Sequence, residues 1–304
     1  MAMTSKFVSG MRRAACIGLA AGLALLAKAE TASAQEILLT GPLAGAPAVR
    51  KQKLYRQHRF EISPTASFSL LDEYQRQIFI GARLNYNITD WLALGAWGAS
   101  GFIKINTALS ENIQTVNKGR IADDATRARN GLPQSIDTKL TQRNIGPDFT
   151  AQLGTIDWIL APQLTVVPFR GKIALFQSIF ADTDLYFFAG PAFVGVRERK
   201  DCSPNGGAGS CSTDQSFQRA SRTAIAPTFG LGFSFYTSKM TSFGFEWRGM
   251  PFARNTGGID NHGGGPGGKF PDYSVNDKDR EFKFNQMLTV SFGFLLPTSF
   301  SVSE

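Results

Sequence analysis

From residue 281 to 296 the chain reads E-F-K-F-N-Q-M-L-T-V-S-F-G-F-L-L. Phe282, Phe284, Leu288, Val290, Phe292 and Phe294 fall on one side of an extended chain. Lys283, Asn285, Thr289, Ser291 and Gly293 fall on the other, and Gln286 and Met287 break the alternation. Successive strand side chains point to opposite faces of a sheet, so this segment predicts a strand with one apolar and one polar face. The same period recurs at 59–71, 74–88, 91–105, 150–169 (interrupted at Ala161-Pro162), 185–198, 222–236 and 241–252. Residues 171–184 are too apolar for a plain turn and fit either a short amphipathic helix or the extended end of a hairpin. Residues 106–149 show no long periodicity and are expected to form a long loop with local helix near 123–129.

The connections sort by length. Those after the second and sixth strands are short, and the one after the fourth is intermediate. Those after the third, fifth and seventh are long, with the first hairpin a short exception. Alternate connections lie at opposite ends of a meander, so one rim carries short turns and the other long loops. Outer-membrane barrels show that asymmetry, with short periplasmic turns and longer outside loops. Aromatic residues near strand ends (Tyr74, Tyr86, Trp91, Trp97, Trp158, Tyr186, Tyr236, Trp247) suit interfacial girdles.

Alternation alone does not say which face meets water. A soluble sandwich turns the apolar face inward, and a membrane barrel turns it toward lipid. The start of the chain bears on this choice. Lys6, Arg12 and Arg13 precede the apolar run 14–27, and Ala32-Ser33-Ala34 supplies a small-x-small cleavage pattern. Residues 1–34 are therefore expected to be a secretory signal peptide that is removed, with Cys16 an ordinary residue of its apolar core. The run is shorter than the ~20 residues a spanning helix needs.

The polar faces also carry charge. Arg59, Glu61, Arg83, Glu246, Arg248, Glu281 and Lys283 all fall inward if the apolar faces point out. Unpaired, such charges would be costly in a dry interior. In an eight-stranded barrel they can pair between neighbouring strands, Glu61 with Arg83 and Glu246 with Lys283 or Arg248. An eight-stranded interior is largely filled by side chains, which predicts a plugged lumen rather than an open pore.

Composition agrees with an exported β protein. Gly (31) and Phe (25) are abundant in the 304 residues, yet mean hydropathy is only −0.10, because apolar and polar positions alternate. Part of the formal charge of +8 belongs to the leader (Lys6, Arg12, Arg13 and Lys28 against Glu30). No basic-aromatic interleaving points to nucleic acid. Cys202 and Cys211 bracket a Gly-, Ser- and Asn-rich stretch and are expected to form a disulfide across a surface loop.

Candidate chemistry is sparse. His58 precedes the first strand, and His262 lies beside Asp260 in a glycine-rich loop with Ser274 nearby. A Ser-His pair at the outer rim would suit a lipid A acyl hydrolase or transferase, the enzymatic alternative. The run 263–268 lacks the Lys-Ser/Thr and strand-turn-helix frame of a phosphate loop. Asp123-Asp124, or Asp277 with Asp279, could hold Ca²⁺ no more specifically than any acidic pair, and no cofactor or resident metal is expected.

The segments L-T-G-P-L-A-G-A-P-A-V-R-K (39–51), F-E-I-S-P-T-A-S-F-S-L-L-D-E-Y (60–74), N-I-T-D-W-L-A-L-G-A-W-G-A (87–99), V-P-F-R-G-K-I-A-L-F (167–176) and D-T-D-L-Y-F-F-A-G-P-A-F-V-G-V (182–196) resemble outer-membrane β-barrel domain proteins of the myxobacterial type. The resemblance implies an outer-membrane location and a small barrel of the OmpA/OmpX type, but no defined activity. It departs from the pattern in running past the last aromatic strand to Glu304 and in lacking a peptidoglycan-binding domain.

The expectation is an all-β chain. Residues 35–58 are a periplasmic lead-in, 59–296 an eight-stranded antiparallel up-and-down transmembrane barrel with long extracellular loops, and 297–304 a tail. Its expected role is non-enzymatic. It would contact outer-membrane lipids and lipopolysaccharide, with its loops meeting polysaccharide or an envelope protein complex. A narrow channel is the remaining alternative.

Overall fold

The computed structural model describes residues 56–131, 145, 148–175, 179–201, 217–262, 270 and 275–297. The leader, nearly all of the lead-in, Cys202, Cys211, Ser274 and the tail beyond Pro297 lie outside the described residues. Strands β1 (Phe60–Leu70), β2 (Gln75–Asn87), β3 (Leu92–Asn106), β4 (Thr155–Leu175), β5 (Ile179–Asp201), β6 (Phe217–Tyr236), β7 (Thr241–Arg254) and β8 (Glu281–Leu296) follow one another around a closed antiparallel barrel. β8 closes on β1 from Phe60↔Leu296 to Leu70↔Gln286.

Closure fixes the faces. On β1, Glu61, Ser63, Thr65, Ser67 and Ser69 are buried inside, whereas Phe60 and Ile62 are exposed outside. The six apolar residues of β8 alternation, Phe282, Phe284, Leu288, Val290, Phe292 and Phe294, all stand on the outer wall. The two exceptions are placed accordingly. Gln286 faces out and accepts a hydrogen bond from Trp247 Nε1 at 3.1 Å, while Met287 turns inward to an apolar cluster.

Residues 171–175 and 179–184 form the extended end of the β4–β5 hairpin, the second of the two expected forms, paired as far as Leu175↔Ile179. Two sequence expectations need correcting. The connection after β3 holds a long helix, α1 (Ala108–Arg129), where only a local one near 123–129 was expected. It has no apolar stripe, so periodicity could not reveal it. Its signals are the Thr107 cap, whose Oγ1 accepts from Ser110 N, and a content of good helix formers. Finally, Trp97, Tyr186 and Tyr236 belong to the interior rather than to a girdle: the first two are buried, and the third lies against Arg56.

A short helix, α2 (Phe149–Gln152), crosses the long-loop mouth before β4. Phe149, Gln152 and Leu153 are buried there, and Gly154 packs so closely on β7's end that a Cβ would sit 2.2 Å from Asn255 O. Gln152 Nε2 donates to the carbonyls of Gly257 and Gly258. These contacts tie the start of β4 to the segment that follows β7.

Four outward-facing prolines interrupt the wall at one level. Pro191 and Pro227 are ladder partners on β5 and β6. Pro162 stands opposite Pro191 in the gap between the pairs Leu160↔Phe193 and Leu164↔Ala189. Pro251 stands opposite Pro227 just past Phe229↔Gly249, where the β6–β7 ladder ends. Proline donates no N–H, so the bonds are missing where the ladders lapse, between Pro162 and Pro191 and between Pro227 and Pro251, while the β5–β6 ladder runs on through Pro191↔Pro227. Pro227→Val with Pro251→Val is expected to restore donors to the β6–β7 seam and raise stability by about 1–3 kcal/mol, two net hydrogen bonds. A urea midpoint that stays put or falls would show that missing donors do not limit the seam.

Candidate functional site

The alternation that makes the outer wall apolar sends the polar residues of every strand into the bore, where they stack in layers. At the short-turn end, Arg56 enters the barrel and pairs with Asp184, and its Nη2 donates to Asn87 Oδ1 at 3.3 Å. Arg170 lies 3.8 Å from the same carboxylate. Above this layer, Arg83 Nη1 donates to Glu246 Oε2 at 2.9 Å and to Tyr186 Oη at 2.7 Å, and its Nη2 reaches Glu61 at 3.4 Å. Glu246 Oε1 accepts from Arg248 Nε and Nη2 at 3.1 and 2.7 Å.

Arg248 lies within the bore. Its guanidinium lies between the rings of Trp97 and Phe188, 4.4 and 4.2 Å from their centroids, and donates to Thr228 Oγ1 and Gln163 Oε1. The side chain is completely buried. Cation–π contact with two rings and hydrogen bonds to two side chains fix the guanidinium within this layer. Toward the long-loop end the bore turns apolar, filled by Phe79, Ile159, Val194, Met250, Phe252 and Met287. Glu198 then organises the mouth, accepting from Arg222 Nε and Arg280 Nε at 2.8 and 2.9 Å and from Asn255 N at 3.0 Å.

Of the charges expected inside, the structure brings together Glu61, Arg83, Glu246 and Arg248. The other three do not join this network, although Arg59 is buried. Arg59 sits before β1 at the short-turn rim and donates to the carbonyls of Leu295, Lys239 and Pro297. Glu281 and Lys283 lie at the opposite rim, half exposed, where Lys283 Nζ pairs with Glu73 at 3.2 Å and Glu281 at 3.3 Å rather than with Glu246. Alternation gives a residue's face but not its height, and these three are on the right face at the ends of their strands. Arg56, Asp184, Trp97 and Tyr186 were missed as lumen residues. Two lay in segments with no firm strand assignment, and the aromatics were taken for girdle residues.

The rim chemistry is not assembled among the described residues. His262 is exposed, and its backbone N–H, with those of Asn261 and Asn276, donates to the buried Asp279 carboxylate. Asp279 thus holds a loop together, and Asp277 pairs with Arg280 at 2.7 Å. His58 Nδ1 lies 3.4 Å from Tyr86 Oη at the other end of the barrel. Among the described residues no group of three or more His, Cys, Asp or Glu side chains is gathered to hold a metal. No described helix is long and apolar enough to cross a membrane, which says nothing about strands.

No family model matches the chain, and no curated protein does. Among solved structures, similarity is found to Ail, the attachment invasion locus protein of Yersinia pestis (8% identity, 78% of this chain, 97% of that one, TM-score 0.31). It is also found to Neisserial surface protein A (8% identity, 78% and 96%, TM-score 0.32) and to the outer membrane protein AlkL in lipid bilayers (11% identity, 84% and 99%, TM-score 0.32). At those scores the barrel assignment rests on this chain's own strand pairing. The resemblance to myxobacterial barrels gains nothing from these comparisons.

Proposed function

We propose that the protein is a bacterial outer-membrane barrel with an occluded lumen, exported by a cleaved signal peptide, and that it acts through its outer wall and surface loops. The reading is non-enzymatic: the loops contact polysaccharide or an envelope protein complex, and the wall contacts membrane lipid and lipopolysaccharide. An apolar wall on every strand around a charged interior is the inverse of a soluble core, and lipid is the solvent that tolerates it. β1 begins and β8 ends at the rim of the β2–β3, β4–β5 and β6–β7 connections, the periplasmic one in this orientation, and the long connections lie at the other rim with the short β1–β2 turn.

The observation that carries the reading is Arg248, held between Trp97 and Phe188 across the bore. A conducting barrel would need a hydrated path past this layer. Planar bilayer recordings are therefore expected to show no discrete conductance steps. Reproducible unitary steps from the wild-type chain would overturn the occluded reading.

A further inference from the structure

Where β3, β4, β5 and β6 approach the long-loop rim, their outer faces form an open groove of about 450 Å³, whose lining includes Ser100, Asp157, Trp158, Arg197, Ser221 and Thr223. Just below it the wall is apolar, with Leu160, Phe193 and Ile225 exposed. Trp158 marks the transition. Its indole lies flat over Gly195, where a Cβ would stand 2.1 Å from Nε1. An amphipathic ring at such a border is the usual occupant of a membrane–water interface.

The charge of this groove differs from that of the interior. Inside, cations and carboxylates alternate. Here Arg197 pairs with Asp157 at 2.8 Å, and Lys104 and Arg219 lie within electrostatic reach of both. Arg219 spends one Nη2 bond on Leu153 O. Among the described residues neither Lys104 nor Arg219 forms an ion pair of its own. Among the described residues, Lys104, Arg197 and Arg219 thus share the Asp157 carboxylate, beside hydroxyls and directly above outward-facing apolar side chains.

We propose that this groove binds the phosphate of an anionic lipid headgroup in the outer leaflet. Arg197, Arg219 and Lys104 would supply the charge, and the lipid's chain would lie along Leu160, Phe193 and Ile225. The site rests on the outer-membrane reading given above. The Arg fork suits phosphate oxygens, and Ser221 and Thr223 add donors. A lipid phosphate fits better than free phosphate, because the groove opens sideways onto the apolar wall and not into the bore.

The test uses the full chain in phosphatidylcholine nanodiscs containing bis-phosphorylated lipid A, with retained lipid counted by native mass spectrometry. Wild type is expected to retain the phosphorylated lipid in preference to its dephosphorylated form. Each cation removed is expected to cost roughly fivefold in retention, from about 1 kcal/mol per basic residue at a membrane surface. Lys104→Gln/Arg197→Gln/Arg219→Gln should lose on the order of 100-fold. Lys118→Gln/Arg127→Gln, which removes charge from α1 instead, should lose little. Lys104→Gln alone keeps the test available should the triple variant fold poorly.

Equal retention of dephosphorylated lipid A, or full retention by the triple variant, would overturn the site. So would displacement of the lipid by inorganic phosphate, which would assign the groove to the free anion. A heat-modifiable shift on gels, run on each sample, separates the two readings. A chain that inserts and shifts but shows no phosphate preference loses only the site. One that neither inserts nor shifts loses the barrel reading and the site together.

Discussion

Glu246→Ala is expected to lower barrel stability by about 3–5 kcal/mol, the range for stripping one partner from a buried ion pair. Glu246 accepts from Arg83, Tyr186 and Arg248 through its two oxygens. Without it, two buried guanidinium groups share only Glu61, whose contact with Arg83 is the long one at 3.4 Å. Glu246→Gln keeps the shape and one acceptor but not the charge, so it should fall between wild type and Ala. The companion variant, Glu246→Ala/Arg248→Ala, removes the cation as well as its partner. Its loss should be smaller than the sum of the two single losses by about 0.5–3 kcal/mol, the coupling of groups in one network. Urea unfolding in micelles, followed by gel mobility, measures wild type, these three variants and Arg248→Ala alone. A single loss below about 1 kcal/mol, or strict additivity, would mean that water rather than side chains screens these charges.

Much of this fold was legible because alternation and closure are strong constraints. Once β1 is placed beside β2 and β8, the register puts Glu61 near Arg83 by Ser63↔Arg83 and Glu61↔Asn85, and one strand's spacing puts Glu246 near Arg248. Height was not legible. Lys283 and Glu246 both face in, but Lys283 pairs with Phe252 in the ladder while Glu246 pairs with Thr289, which separates them along the axis. The seat of Arg248 was visible only as a charge. Its ring partners come from β3 and β5, strands that do not adjoin β7, so no pairwise reading of neighbours could place them there.

The prolines show the same limit from another side. Each, read alone, looks like a strand breaker, and Pro162 was taken as an interruption of the fourth strand. Only the registers reveal that Pro162, Pro191, Pro227 and Pro251 face one another in a row across four strands. A wall can lose donors at one level and stay closed, because the layers below are locked by Arg83, Glu246 and Arg248. The outer-rim cations were overlooked for a different reason. Lys104 on β3 is far in sequence from Arg197 and Arg219 on β5 and β6, Arg219 preceded the expected sixth strand at 222–236, and composition gave only a mild positive excess.

Val290→Arg is the substitution that decides which solvent the outer wall meets. Val290 stands outside, about midway along β8, opposite Ala66 on β1 and Phe245 on β7. If that wall faces hydrocarbon, an arginine there should cost about 2–4 kcal/mol, and one at a rim position about 0–1 kcal/mol. Phe282, at the long-loop end of the same strand and more exposed than its neighbours, supplies the rim comparison through Phe282→Arg. A water-exposed wall would show no such gradient, since surface substitutions usually stay within about 0.5 kcal/mol. The two variants should therefore separate when unfolded by urea from lipid vesicles, with tryptophan fluorescence as the readout. Equal and small losses at both positions would take the phenylalanines of β8 out of the membrane. A large loss at Val290 alone would fix the hydrocarbon zone at that height, below the rim where Trp158 and the basic groove lie.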